Sequence, residues 1–351
     1  MRTSLSLIQS LLCYRQFKSA SVRTRKWLKR WLSLSILASV SIFPLSATAD
    51  SLQNGGIVSG AISFVGEQDN WTFNANAGSQ IFISVVDIND TSLSALATLS
   101  GPDGNTVSTG QGNRISKINV TASLSGTYTI TIRDNNSGTD NDTGMGNYSV
   151  YLAIPPVAEH GSLVNGDYVQ ETIELGDIDT WSFDTSAGQV VQLSLTDVNN
   201  TDLSAYLAVY APDGSYVTHG QGNTVSKANF TAAQSGTYTV LVMDNNSGTV
   251  NDTGTGDYRL YLAIPPVAEH GSLVNGDYVQ ETIELGDIDT WSFDTSAGQV
   301  VQLSLTDVNN TDLSAYLAVY APTAAMSHTD RAIPSPKPTL PPHKAAPIPY
   351  W

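Results

Sequence analysis

Two stretches of this chain crowd oxygen-bearing side chains onto short glycine-containing segments. They are Asp134-Asn-Asn-Ser-Gly-Thr-Asp-Asn-Asp142-Thr-Gly and Asp244-Asn-Asn-Ser-Gly-Thr-Val-Asn-Asp252-Thr-Gly. Such segments suit Ca²⁺, which takes six to eight hard oxygen ligands at ~2.3 to 2.6 Å. The candidate ligands are Asp134, Asn136, Asp140 and Asp142 in the first segment and Asp244, Asn246 and Asp252 in the second. Their spacing is not that of an EF-hand, and Asp, Asn and Gly are also good turn formers, so both readings stand. A second pair of clusters, Asp87-Ile-Asn-Asp90 and Asp197-Val-Asn-Asn200, follows a strand and is expected at one end of a domain. Charge favours a cation: residues 50 to 322 hold 31 acids and five bases, a net charge of −26, and uncompensated carboxylates repel one another. The same sign argues against nucleic acid as a partner.

Catalytic signatures are missing from the sequence. It contains no H-E-x-x-H and no G-x-S-x-G, and the single cysteine, Cys13, lies in the basic N-terminal region. His160 and His270 occupy equivalent places 110 residues apart, His219 has Thr109 as its counterpart, and His328 and His343 belong to a divergent tail. None stands beside a nucleophile that recurs elsewhere, so no catalytic residue is assigned. Trp71, Trp181 and Trp291 each follow an Asp by two residues and precede a Phe by two. In an extended segment such as Trp181-Ser182-Phe183 both aromatics point to one face, as core residues do.

Internal repetition tells which elements must position these residues. Residues 151 to 212 recur unchanged at 261 to 322, and residues 51 to 150 match the same unit of about 110 residues more loosely. Within the second unit, Val191, Leu193 and Leu195, then Tyr238, Val240 and Val242, then Tyr258, Leu260 and Leu262 alternate with polar neighbours. Period two in short runs between Gly, Asn, Asp and Ser clusters predicts antiparallel strands. Eight strands are expected, near 168–174, 180–184, 189–196, 203–210, 215–219, 225–232, 236–243 and 257–263. The fold class is therefore all-β: tandem antiparallel β-sandwiches, jelly-roll or Greek-key in type. The reading divides the chain into a signal peptide (1–49), a first repeat (50–154), a second repeat (155–264), a truncated third (265–322) and a Pro-rich tail (323–351). Pro155-Pro156 and Pro265-Pro266 are expected to begin stiff linkers. Eight basic residues and no acid, then an apolar run to Leu45 and Ala47-Thr48-Ala49, have the order of an export signal cleaved before Asp50.

Asp69-Asn-Trp-Thr-Phe73, Ala77-Gly78, Gly101-Pro-Asp-Gly104, Ser125-Gly-Thr-Tyr128 and Gly146-Asn-Tyr148 together resemble the bacterial pre-peptidase C-terminal domain. The resemblance implies a β-sandwich carried by exported proteins, although no peptidase precedes it here. After Pro322 the repeat gives way to Thr323-Ala324-Ala325-Met326-Ser327-His328. Codons for Asp213 onward, read one base out of frame, can encode the whole tail and then a stop, so the tail is read as a frameshift product. The leading expectation is a non-catalytic secreted or cell-surface repeat protein that binds or adheres, with possible Ca²⁺ and an extracellular protein or polysaccharide as partner. The alternatives are accessory domains of a secreted hydrolase and a disabled fragment. No membrane span is expected after signal cleavage, since the apolar run is shorter than the ~20 residues a bilayer needs. N-terminal sequencing of the exported protein should begin at Asp50; an intact Met1 on the exported form would remove the signal assignment.

Overall fold

The computed structural model describes residues 50–89, 91–136, 143–245, 254–309, 311 and 313–322. The signal region with Cys13, the tail with His328 and His343, and Asp90, Asp140, Asp142, Asn246 and Asp252 lie outside the described residues. The first repeat comprises Asp50–Ser51 (β1), Gly56–Ile62 (β2), Gln68–Ala75 (β3), Gln80–Asp87 (β4), Ala95–Ser100 (β5), Thr106–Gln111 (β6), Ile115–Thr121 (β7), Gly126–Asp134 (β8) and Gly146–Ala153 (β9). The second comprises Asp167–Ile173 (β10), Asp179–Thr185 (β11), Val190–Asp197 (β12), Ala205–Tyr210 (β13), Tyr216–Gln221 (β14), Val225–Thr231 (β15), Gly236–Asp244 (β16) and Gly256–Ala263 (β17). All eight expected strands of the second repeat form, with ends within two residues of their expected places. No helix among the described residues is long and apolar enough to cross a membrane.

Strand order settles the type of sandwich. The second repeat has two four-stranded sheets, β10-β17-β12-β15 and β11-β16-β13-β14. The first has β2-β9-β4-β7 and β1-β3-β8-β5-β6, the same order with β1 added in parallel beside β3. This is the eight-stranded jelly roll of two interlocked Greek keys. Inward positions of both sheets meet in one apolar core per repeat. In the second repeat that core includes Phe183, Val191, Leu193, Leu195, Tyr238, Val240 and Leu260, and in the first it includes Phe73, Ile81, Ile83, Tyr128, Ile130 and Val150. Trp181 is buried in its core, as expected from the shared face of Trp181 and Phe183.

A third apolar cluster joins the repeats. Phe82, Val86, Ile115, Tyr151 and Ala153 on the outer face of β2-β9-β4-β7 pack with Ile178, Ala208, Tyr210, Leu241 and Met243 on the outer face of β11-β16-β13-β14. Burial patterns record the result. β8 alternates between buried and half-exposed along its length, whereas its counterpart β16 is buried on both faces from Tyr238 onward. The stiff spacer expected after Pro156 is docked instead: Val157 N donates to Thr239 Oγ1 at 3.1 Å, His160 N to Thr180 O at 3.0 Å and Leu163 N to Ser182 O at 2.7 Å. Pro removes a donor at two positions, but the residues after it find partners on β11 and β16.

Residues 265–322 take another course. Among their described residues they form no strand, and apolar residues whose copies are core in the second repeat stand open: Leu305 is 47% exposed where Leu195 is 0%, and Ile283 is 39% exposed where Ile173 is 0%. A truncated repeat would be half a sandwich; the described residues show extended segments instead, with a parallel bridge between Ser272 and Ser292 as in the second repeat between Ser162 and Ser182.

Leu241 fills the joint between repeats, and its counterpart Thr131 faces away from it. In protein spanning 50–264, Leu241→Ala should cost about 2 to 4 kcal/mol, the range for truncating a buried Leu, whereas Thr131→Ala should stay within about 1 kcal/mol, the price of one hydrogen bond. Urea unfolding of the two variants measures the difference, and equal losses would mean that the joint adds nothing to stability.

Candidate functional site

Four strands run out into loops at a buried aspartate: β4 at Asp87, β8 at Asp134, β12 at Asp197 and β16 at Asp244. Asp134 Oδ1 accepts from Ser94 N at 3.1 Å and its Oδ2 from Asn136 N at 3.0 Å, so this carboxylate ties β8 to the loop before β5. Asp244 Oδ1 does the same for Ser204 N at 2.8 Å. Gly144 and Gly254 lie so close to these carboxylates that a Cβ at either would sit about 2 Å from the oxygen, which explains glycine at both positions. Asp87 and Asp197 hold their own turns, accepting from Thr91 Oγ1 at 2.6 Å and Thr201 Oγ1 at 3.0 Å. Asp197 Oδ2 is buried without a hydrogen-bond partner. Beside it lies an open depression lined by Glu174, Asn200, Thr201, Asp202 and Asp257. Of the Ca²⁺ candidates, the structure thus places Asp134, Asn136 and Asp244 at the loop ends, with Asp134 and Asp244 turned inward.

A second constellation escaped sequence reasoning. Tyr258 on β17 donates its hydroxyl to Asp179 Oδ2 on β11 at 2.6 Å and accepts from Trp181 Nε1 at 2.9 Å. His160, from the segment before β10, lies with Nε2 3.1 Å from Asp179 Oδ1 and stacks on the Trp181 ring at 5.2 Å. The first repeat keeps the inner part: Tyr148 donates to Asp69 at 2.5 Å and accepts from Trp71 at 3.1 Å, but Asp50 stands at the place of His160. The third copy keeps the outer part: His270 Nε2 is 3.2 Å from Asp289 Oδ1 and 3.9 Å from Glu269 Oε2, and its ring stacks on Trp291 at 4.9 Å. Those three side chains bring one ligand atom each within 4.8 Å of the others, close enough to share a metal ion. The signal was available: Asp and Trp two apart on a strand share a face, and Asp-x-Trp recurs in all three copies with His160 and His270 at a fixed distance.

The electrostatics follow from burial. Asp179 is pushed up to about 7 by desolvation first and by the Asp177 carboxylate second, against the lowering effects of Tyr258 and His160. Burial also raises Asp177 and Asp69. A His paired with a buried carboxylate orients as the outer two members of a hydrolytic triad do. The third member is lacking among the described residues, where the side-chain partners of His160 are Asp179 and Trp181 rather than a hydroxyl or thiol. His219 stacks on Tyr206 and bonds the phenolic hydroxyl of Tyr216 rather than a carboxylate.

Residues 177–243 match the family model of the bacterial pre-peptidase C-terminal domain, within the second sandwich. A search of curated proteins gives no match. Among solved structures, the chain is similar to the pre-peptidase C-terminal domain of a collagenase from Bacillus anthracis, at 19% identity and TM-score 0.25, over 30% of this chain and 96% of that one. It is similar to PliG of Aeromonas hydrophila, a periplasmic inhibitor of g-type lysozyme, at 15% identity and TM-score 0.23, over 28% of this chain and 84% of that one. It is also similar to the secreted serine protease VesC of Vibrio cholerae, at 14% identity and TM-score 0.24, over 62% of this chain and 49% of that one.

The raised Asp179 has a pH signature. An acid whose folded pKa lies above its unfolded value of 3.8 holds a proton in the folded state after the unfolded chain has released it, so its contribution to stability falls as pH rises. The window runs from about 4 to about 7. Melting temperature of the second sandwich should decline across it, and Asp179→Asn should flatten the decline. An equally steep decline in the variant would move the effect to other groups.

Proposed function

We propose that the chain is a non-catalytic, exported repeat protein that uses the loop ends of stacked sandwiches to bind an extracellular protein or polysaccharide, with Ca²⁺ bridging the acidic loops. The observation that carries this reading is the polarity of the stack. Gly176, in the turn between β10 and β11, lies against Ser84 and Val86 of β4, and Gly286 lies in the same way against Ser194 and Thr196 of β12. Each copy is therefore laid on the one before with its acid-bearing end on the same side. Asp87 follows Val86, and Asp179 follows the Ile178 that packs in the same cluster. A row of like sites on one chain binds through several contacts at once, and its avidity exceeds the affinity of any one.

Ca²⁺ fits the chemistry of the row: carboxylates and amide oxygens are hard ligands, and Asp197 offers a buried, unpartnered oxygen. The family match favours a second reading, in which such domains serve as accessories to a secreted peptidase, and the export expected from the order of residues 1–49 agrees with either. Purified protein should hydrolyse no peptide, ester or glycoside substrate, and turnover abolished by His160→Ala would overthrow the non-catalytic reading. For protein spanning 50–264, Ca²⁺ at 1 mM with a Kd of ~10 μM should add roughly 2.7 kcal/mol, which is several degrees in melting temperature. A melt that is the same in EDTA and in Ca²⁺ at constant ionic strength would remove the metal assignment.

A further inference from the structure

Asn-Gly occurs three times in the sequence, at equivalent places in the copies: Asn54-Gly55, Asn165-Gly166 and Asn275-Gly276. An asparagine followed by glycine is exposed to attack by its own backbone, because the next nitrogen can reach the side-chain carbonyl carbon and no Cβ obstructs the approach. In the first two copies the fold prevents this. Asn54 Nδ2 donates to Ile154 O at 2.8 Å while Asn54 Oδ1 accepts from Ile154 N at 2.7 Å. Asn165 does the same with Ile264, at 2.9 and 2.7 Å. Both ends of each carboxamide are thus fixed to one residue, so its plane cannot turn toward the following nitrogen. That nitrogen is held as well: Gly55 N donates to Leu152 O at 2.9 Å and Gly166 N to Leu262 O at 2.8 Å. The connection to the next copy closes over the bond, since a Cβ on Gly55 would lie 2.9 Å from Val157 Cγ2 and one on Gly166 2.8 Å from Val267 Cγ2.

The third copy keeps the local turn. Asp277 N donates to Val274 O at 2.9 Å, Val274 N donates to Asp277 Oδ2 at 2.8 Å, and Gly276 has a φ of 94°. The long-range clamp is another matter. The sequence that brings Leu262 and Ile264 to the second copy does not recur after Pro322. Gly276 is exposed, and nothing lies within 4 Å of the place a Cβ would take.

We propose that Asn275 is a self-modification site that deamidates through Gly276, and that Asn54 and Asn165 carry the same chemistry held in check by the closure of their repeats. Gly276 N gives up its proton and bonds to Asn275 Cγ. The Cγ–Nδ2 bond breaks, and the nitrogen leaves as ammonia with that proton, closing a five-membered succinimide. Water then opens the ring at one carbonyl or the other, leaving aspartate or, with the chain rerouted through the side chain, isoaspartate. One water is consumed and one ammonia released, with no other reactant. The site gains a negative charge two residues before Asp277, and the change is a lasting record of whether the second half of a repeat has docked on the first. At a clamped site attack proceeds from the opened form, so the rate falls with the open population. The hydrogen bonds of the clamp lower that population roughly tenfold or more.

Asn165 and Asn275 have the same neighbours, because residues 151 to 212 recur at 261 to 322, so local sequence cannot separate their rates. The test incubates the full chain in mildly alkaline buffer and follows the three sites by mass spectrometry of tryptic peptides. Arg133, Lys227 and Arg259 place Asn165 and Asn275 on different peptides. Asn275 should convert to a mixture of aspartate and isoaspartate, with Asn54 and Asn165 slower by roughly tenfold or more. In urea the rates at Asn165 and Asn275 should converge. Equal rates at these two sites in the folded chain would overturn the proposal, as would an Asn275 that stays intact when folded and converts only in urea, since the turn alone would then protect it. Gly276→Ala should suppress conversion at Asn275 and leave Asn165 as it was; undiminished conversion at Asn275 would exclude attack by the residue 276 nitrogen and sink the mechanism.

Discussion

Each ladder between β2 and β17 joins a strand from the first half of a repeat to one from the second. β2 waits for β9, β3 for β8, β10 for β17 and β11 for β16, and the one local hairpin in each repeat, β5-β6 or β13-β14, straddles the midpoint. No subset of early strands can therefore satisfy its own backbone, and unpaired peptide groups are too costly to bury. The loop-closure entropy of a whole repeat must be met before any sheet exists. The two complete repeats meet that condition and build dense cores, and residues 265–322, of the same sequence as a folded half, do not. Identical residues with different fates isolate the pairing constraint from composition and strand propensity.

Where the two sheets of a repeat must be held in register across the core, the protein uses polar atoms. Asp179 and Trp181 lie on β11 in one sheet, and Tyr258 lies on β17 in the other, so the bonds through the Tyr258 hydroxyl pin sheet to sheet. Tyr148 does this for Asp69 and Trp71. The pin has an electrostatic cost, visible in the raised Asp179, because a carboxylate taken out of water beside a second one is disfavoured as an anion. His160 faces the other oxygen of Asp179, Oδ1, from the segment entering the repeat, which ties the connection between repeats to the interior of the next. At the equivalent position in the first repeat stands Asp50.

Strands were legible because their signal is local: alternate apolar residues and turn-forming clusters gave all eight strands of the second repeat, the all-β class and the inward face of Trp181. The joint between repeats was not, although its residues were in view. Leu241 and Met243 alternate with the inward positions Val240 and Val242 on β16, and a run apolar on both faces means a strand covered on both sides. The comparison with Thr131 and Arg133 on β8 makes the difference plain only once the two strands are known to be equivalent. The cluster around Asp179 was hidden for another reason. Its members come from three separated elements, and spacing along the chain carries no information about a contact such as that between residues 179 and 258 until the sheet order is fixed.

The same comparison gives the stack a direction. On the outer side of β3 and β8 the first repeat presents Asn70, Asn74, Thr127 and Thr131, with Thr131 Oγ1 bonded to Asn70 at 2.7 Å and Thr127 Oγ1 to Asn74 at 2.9 Å. This face is polar, where the equivalent face of the second repeat carries Leu241 and Met243. Toward the second repeat it presents Phe82, Val86 and Ile115. Duplication copied the face that the second repeat lays on the first, so the third copy brings Ile288, Tyr316 and Tyr320 in the places of Ile178, Tyr206 and Tyr210. The receiving surface was not copied with it: Gln192, Thr196 and Val225 stand where the first repeat has Phe82, Val86 and Ile115. An apolar face arriving on a more polar surface makes hydrogen bonds in place of part of the lost burial, which accounts for the contacts from Gln192 to Tyr320 and from Thr196 to Leu285. Such exchanges contribute less than the buried cluster they replace, so the joint between the second and third copies is the weaker of the two even before the missing strands are considered.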